Sequence, residues 1–298
     1  MRWIAVDWGT SNLRAWVMQG DAVQAALSSA DGMGTLARDG FEPALLRLVG
    51  DHLQDGSVTP VICCGMVGAR QGWIEAAYQT VPSSPPQAAQ SVSPVCDDPR
   101  LSVSILPGMS QASPADVMRG EETQIAGFLA AFPDFDGVLC LPGTHSKWAH
   151  ISAGEVVSFR TFMTGELYAL LSRQSVLKHS IPDDGWDDAA FTDAVGDAMS
   201  RPERVVADLF SLRAQGLVST LDPAVARARL SGMLVGMELA AARPYWLGQN
   251  VALVGNGTLS QRYSEALAAQ GVTAQTTDAE EMTLRGLRAA FHSLSEGA

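Results

Sequence analysis

The chain has 298 residues, a formal net charge of −12 and an isoelectric point near 4.8. That acidity excludes a nucleic-acid surface and a polybasic membrane contact, so the expected partners are small molecules. Asp7 interrupts the opening apolar run and no later stretch reaches transmembrane length, so a cytoplasmic enzyme is expected. The length and a hydrophobic fraction of 47% suffice for two cored domains. Cys63 and Cys64 are adjacent while Cys96 and Cys140 are isolated, a pattern that suits small buried hydrophobes better than a disulfide framework or a zinc site.

In chain order, Trp3–Val6 is a short apolar run that reads as a buried strand. It ends at Asp7, turns through Trp8-Gly9-Thr10-Ser11-Asn12 and resumes an extended pattern at Arg14-Ala15-Trp16-Val17, which predicts a β-hairpin. Residues 41–54 have helical periodicity, and Pro60–Cys64 reads as another buried strand followed by the glycine-rich loop Gly65–Trp73. Residues 82–99 carry no period and read as a long loop. Leu101–Leu106 alternates like a strand and stops at Pro107-Gly108, a candidate domain boundary. A helix is expected over 117–131 and an apolar strand over 137–141, which runs into Pro142-Gly143-Thr144-His145-Ser146-Lys147-Trp148. Further helices are expected over 165–178, up to about 215, and over 224–242. A strand at 250–254 then meets Gly255-Asn256-Gly257-Thr258, and an amphipathic helix at 280–294 should pack back onto a core. Two strand–Gly/Thr–strand turns half a chain apart suggest two α/β domains across a cleft.

The chemistry-bearing residues lie at the ends of these strands. The chain lacks GxxxxGK[ST] and GxGxxG, so any phosphate grip must be of another kind. Asp7 closes an apolar strand and could hold a hydrated divalent metal, while the backbone and hydroxyls at Gly9–Asn12 could hold phosphate oxygens. An Asx turn is the plainer role for Asp7. The only lysines are Lys147 and Lys178, which singles out Lys147 inside the turn Gly143-Thr144-His145-Ser146-Lys147 as a second phosphate clamp. In Arg119-Gly120-Glu121-Glu122 either Glu121, or Asp116 upstream, could orient a substrate hydroxyl. First-turn glutamates are also electrostatically ordinary at a helix start. Arg70 and Arg119 could pair an acidic substrate, and glycines 255 and 257 permit close approach of a flat ligand. Glu166 follows Thr164 at a helix start, where an N-cap explains the pair equally well.

The order of these parts resembles the superfamily of sugar kinases, Hsp70 and actin ATPases. DWGTSNLRAW, GARQGW with Glu75-Ala76-Ala77-Tyr78 after it, DVMRGEETQ, PGTHSKW, FMTGEL and GNGTLSQRY together resemble the 2-dehydro-3-deoxygalactonokinase family, from Trp3 to the last helix. The resemblance implies two actin-like (ribonuclease H-like) α/β domains with an interdomain cleft, here bounded at 1–108 and 109–298. It implies Mg2+- and ATP-dependent phosphorylation of 2-dehydro-3-deoxy-D-galactonate at the 6-hydroxyl, in galactonate breakdown. Carried over, Asp7 would hold metal. Gly9, Thr10, Ser11, Asn12, Arg14, Gly143, Thr144, His145, Ser146 and Lys147 would grip phosphates, and Gly255, Asn256 and Gly257 the adenosine. Arg70, Gln71, Trp73, Arg119 and Glu166 would contact the sugar acid. Glu121 would be the base, with Asp116 as competitor. The gluconate epimer as substrate, or an ATP or polyphosphate hydrolase on the same fold, remain alternatives, and a homodimer is compatible with the sequence.

Overall fold

The computed structural model describes residues 1–296. In chain order the first elements are β1 (Arg2–Trp8), β2 (Leu13–Gln19), β3 (Ala22–Ser29), α1 (Phe41–Val49), β4 (Thr59–Gly65), β5 (Gln79–Thr80), β6 (Leu101–Ile105), β7 (Met109–Ala112), β8 (Ala115–Met118) and α2 (Glu121–Ala131). Then follow β9 (Gly137–Leu141), β10 (Ser146–Ser152), β11 (Glu155–Phe162), α3 (Thr164–Gln174), α4 (Asp188–Ser200), α5 (Val205–Val218), α6 (Pro223–Ala241), α7 (Arg243–Trp246), β12 (Val251–Val254), α8 (Gly257–Ala268), β13 (Gln275–Thr277) and α9 (Ala279–Glu296). They form two compact units. The first holds Met1–Phe135, Ile151–Ser158 and the chain from Asp278 on; the second holds Asp136–His150 and Phe159–Thr277.

In the first unit a five-stranded sheet runs β3-β2-β1-β4-β6. β1 to β3 form an antiparallel meander, and β4 and β6 run parallel to β1. The two-residue period of a strand sends Ile4, Val6 and Trp8 to one face, where Phe41, Leu45 and Val49 of α1 cover them. Trp3 and Ala5 go to the other face, under Leu287, Ala290 and Phe291 of α9. Trp3 stacks on Phe291 with ring centroids 4.3 Å apart. Both faces are buried, which is why β1 reads as a continuous apolar run. α2 crosses α9 at two glycines: a Cβ on Gly127 would lie 1.9 Å from the Met282 carbonyl oxygen, and one on Gly286 would lie 2.0 Å from that of Thr123.

The second unit carries a five-stranded sheet of order β11-β10-β9-β12-β13, the same spatial plan as the first. β12 is parallel to both β9 and β13. Val138, Cys140, Val251 and Leu253 pack with Phe191 and Val195 of α4, Val235 and Leu239 of α6 and Tyr263 and Leu267 of α8. A hairpin followed by parallel strands, repeated in both units, is the actin-like α/β fold.

Two expectations differ from the structure. Pro107-Gly108 is not a boundary. Gly108 is buried, and a Cβ there would meet the Met118 carbonyl oxygen at 2.4 Å and the Tyr78 ring at 2.9 Å. The turn redirects the chain into a three-stranded sheet, β5-β7-β8, and the first crossing into the second unit falls at Phe135–Asp136. The helix expected from residue 117 begins at Glu121, because 115–118 pairs antiparallel with β7.

Candidate functional site

In the first unit, Asp7 faces Arg14 across the β1–β2 register, and Arg14 Nη2 donates to Asp7 Oδ2 at 2.5 Å. The Asp7 side chain is 13% exposed. Burial raises its carboxyl above the usual range; Arg14 pulls it back, and the charge of Glu121 pushes it up again. Glu121 therefore belongs to the same patch as Asp7. Two glycines make this convergence possible. Gly65, which ends β4, has φ +90° and Gly120, which precedes α2, has φ +113°; a Cβ on Gly120 would come within 3.5 Å of Gly65 Cα. Asp116 lies on β8, its Oδ1 accepting from Val117 N at 2.8 Å.

Glu121 Oε2 accepts from Arg119 N at 3.1 Å. Its neighbour Glu122 is 1% exposed, and both its oxygens accept from Gly120 N at 2.8 Å. Burial first, and Glu121 second, raise the Glu122 carboxyl to about 7. Sequence reasoning passed over Glu122, although it shares the three-residue stripe of Ile125 and Phe128 and so falls on the buried side of α2.

The hairpin tip is exposed at Thr10, Ser11 and Asn12. Gly9 N donates to the Asn12 carbonyl at 2.9 Å, while Met33 N and Gly34 N bond the carbonyls of Gly9 and Thr10 at 3.0 and 2.8 Å. The tip is thus held from behind with its hydroxyls outward. Arg70 and Gln71 are exposed on a loop that Arg38 secures, donating to the carbonyls of Arg70 and Gly72 at 2.9 and 3.3 Å. Trp73 packs beside Trp8 and Phe41, supports the loop from below and also lines an open pocket with Arg38 and Pro94. Arg119 lies 4.3 Å over the Tyr78 ring and donates to the Ala76 carbonyl at 2.8 Å; its Nε and Nη1 are buried without a partner among the described residues.

In the second unit the β9–β10 turn exposes Thr144 and His145 and leaves Gly143 half-buried. The start of α3 sits on this turn: Glu166 N donates to the Thr144 carbonyl at 3.0 Å, and a Cβ on Gly165 would lie 2.3 Å from the Gly143 carbonyl oxygen. Glu166 meets His145, Oε2 to Nε2, at 2.5 Å. Within the second unit it is thereby tied to the β9–β10 turn. Ser146 is a correction to expectation. It is fully buried and its hydroxyl bonds Tyr263 at 2.9 Å, so it is not open to a phosphate. Lys147 is 4% exposed, and its Nζ donates to the His145 carbonyl at 3.2 Å. Its charge lies beneath the turn.

Gly255, Asn256 and Gly257 form the strand-to-helix turn from β12 into α8, with Gly257 at φ +57°. Asn256 and Gly257 are exposed. Beside them opens a cavity of about 380 Å³, lined by Gly143 and Thr144, by Tyr168 of α3, by Leu234 of α6 and by Thr258 and Leu259 of α8. Its rim includes Trp186, on whose ring the Arg262 guanidinium rests at 4.3 Å. Sequence reading found the turns but not these walls, because four separate elements supply them and no spacing links them.

Among the described residues no cluster of three or more His, Cys, Asp or Glu could cage a metal, and no helix is long and apolar enough to cross a membrane. Compared with known proteins, residues 7–290 match the model of the 2-keto-3-deoxy-galactonokinase family (DGOK). The "Probable 2-dehydro-3-deoxygalactonokinase DgoK1" of Rhizobium meliloti (strain 1021) is 41% identical over 97% of this chain and 96% of its own. The 2-dehydro-3-deoxygalactonokinase of Escherichia coli (strain K12) is 34% identical over 99% of both chains. The crystal structure of "a putative 2-dehydro-3-deoxygalactonokinase protein from Sinorhizobium meliloti" superimposes with a TM-score of 0.90 at 40% identity, covering 98% of this chain and 96% of that one.

Proposed function

Because the chain belongs to the 2-keto-3-deoxy-galactonokinase family, we propose that it transfers the terminal phosphoryl group of ATP to the 6-hydroxyl of 2-dehydro-3-deoxy-D-galactonate, in galactonate breakdown. One observation carries the nucleotide half of this reading: the cavity of about 380 Å³ opens directly beside the Gly143–Thr144 turn and the start of α8. Tyr168, Leu234 and Leu259 supply apolar walls for a base, while backbone N–H groups and the Thr144 hydroxyl meet the phosphates. Lys147 adds positive potential from beneath the turn.

In the first unit Glu121 accepts the hydrogen of the sugar hydroxyl and aligns its oxygen for in-line attack. Arg70, open to solvent, pairs the substrate carboxylate, and Arg119 adds positive potential behind it. Thr10, Ser11 and Asn12 meet phosphate oxygens at the hairpin tip. The donor set fits Mg2+ only as a hydrated ion carried on the nucleotide: the charge of Glu121 presses on Asp7, a repulsion a cation relieves, yet no protein cage surrounds it. Asp7 would hold it through water. When bound it offsets charge on the transferred phosphoryl group.

The test is ADP release with Mg-ATP and 2-dehydro-3-deoxygalactonate, run beside the gluconate epimer and a control without sugar. Release that depends on the galactonate derivative supports the reading, and a stronger signal with the epimer moves the substrate. Equal release without sugar overturns it in favour of a hydrolase.

A further inference from the structure

Glu238 is the only charged residue between Met233 and Ala242, in the apolar C-terminal half of α6. It is 3% exposed, and the function described so far makes no use of it. Its oxygens accept from three other elements. Trp148 Nε1 of β10 donates to Oε1 at 2.8 Å, Tyr263 OH of α8 donates to Oε2 at 2.7 Å, and Thr164 Oγ1, the first residue of α3, donates to the same Oε2. Burial raises this carboxyl above its ordinary range, and the donors that converge on it oppose the shift.

A fourth side chain joins the group. Ser146 Oγ lies 2.9 Å from Tyr263 OH, where either hydroxyl can donate, and Ser146 also bonds Glu238 itself. Ser146, Tyr263, Trp148 and Thr164 thus all converge on the one carboxyl group. All the donors are uncharged, so geometry and not a counter-ion holds the group.

The elements so joined are those that build the nucleotide half. Thr164 immediately precedes Gly165 and Glu166, which seat α3 on the Gly143–Thr144 turn. Ser146 is the first residue after that turn. Tyr263 and Thr164 themselves line the cavity, with Thr258 and Leu259 from the start of the Tyr263 helix.

We propose that Glu238 is a positioning residue for the nucleotide: by bonding β10, α3 and α8 at one point, it sets the spacing between the Gly143–Thr144 turn and the start of α8. It acts through these elements and touches neither ATP nor sugar acid. The proposal rests on the nucleotide half of the function proposed above.

The test measures binding of Mg2+ with a non-hydrolysable ATP analogue by calorimetry on the full chain, together with KM for ATP and for the sugar acid. Glu238 does not line the cavity whereas Tyr263 does, so Glu238→Gln, which keeps the side-chain shape and changes its hydrogen bonds, is the decisive variant. Its affinity for the analogue should fall about fivefold, with KM for ATP rising in parallel and KM for the sugar acid unchanged. Glu238→Leu fills the site with an apolar side chain of similar size, and the folded variant should lose at least as much nucleotide affinity. Wild-type nucleotide affinity in Glu238→Gln, or equal losses for ATP and sugar acid, would overturn the proposal. A wild-type protein that binds no ATP analogue would overturn the underlying reading instead, and that result is obtained before any variant is made.

Discussion

Replacing Glu122 by glutamine tests the electrostatics of the α2 start. The glutamine Oε1 retains an acceptor for Gly120 N, which Glu122 now engages at 2.8 Å, and removes the capacity to ionise. Glu122 is raised from 4.5 to about 7. A carboxyl whose folded value lies above its unfolded value binds its proton more tightly in the folded state. Its contribution to stability is therefore complete below about 4.5 and is lost as the pH rises through about 7. At about 1.4 kcal/mol per unit, the folded protein gives up about 3 kcal/mol over that window, and glutamine avoids the loss. Thermal unfolding followed by circular dichroism from pH 4.5 to 8 should give overlapping curves for the two proteins at the acid end. At pH 8 the variant should melt about 6 °C higher, at roughly 2 °C per kcal/mol for a chain of this size. A difference constant with pH, or a variant that is less stable at pH 8, would refute the assignment of the raised value to burial beside Glu121.

The remaining expectations concern activity and packing. Glu121→Gln should lower kcat by about a hundredfold or more while the melting temperature stays close to wild type, and Asp116→Asn should keep kcat; the reverse pattern would exchange their roles. Arg70→Ala should raise KM for the sugar acid about tenfold and leave KM for ATP alone, as steady-state kinetics in both substrates would read. Gly286→Ala places a methyl group 2.0 Å from the Thr123 carbonyl oxygen. It should cost about 2 kcal/mol despite the better helix propensity of alanine, and chemical denaturation showing no loss would mean that the α2–α9 crossing yields freely.

What the sequence revealed depended on local signals. The apolar runs at 3–6, 60–64 and 137–141 name strands because both faces of each sheet are covered. Their polar ends, at Asp7 and at Gly143–Lys147, stand out against them. The same double coverage hides the fate of Ser146 and Lys147: alternation decides which side chain faces solvent only when one face is wet. β8 is four residues long, too short to display a period, so its Val117 and Met118 merged into the helix expected after them. Pro107-Gly108 carries the composition of a linker but turns inside the core. The nucleotide cavity and the Glu238 network were illegible for another reason, since their parts meet only after α3, α6 and α8 have packed.

The place of α9 also has a consequence for how the protein is made. Trp3, Ala5, Trp16 and Ile62 present a face of the first sheet that Leu287, Ala290 and Phe291 cover. During synthesis those partners leave the ribosome after the whole of the second unit, whose last residue is Thr277. The unit that begins first is completed last, with its tryptophan-bearing face open to chaperones and to other nascent chains through most of translation.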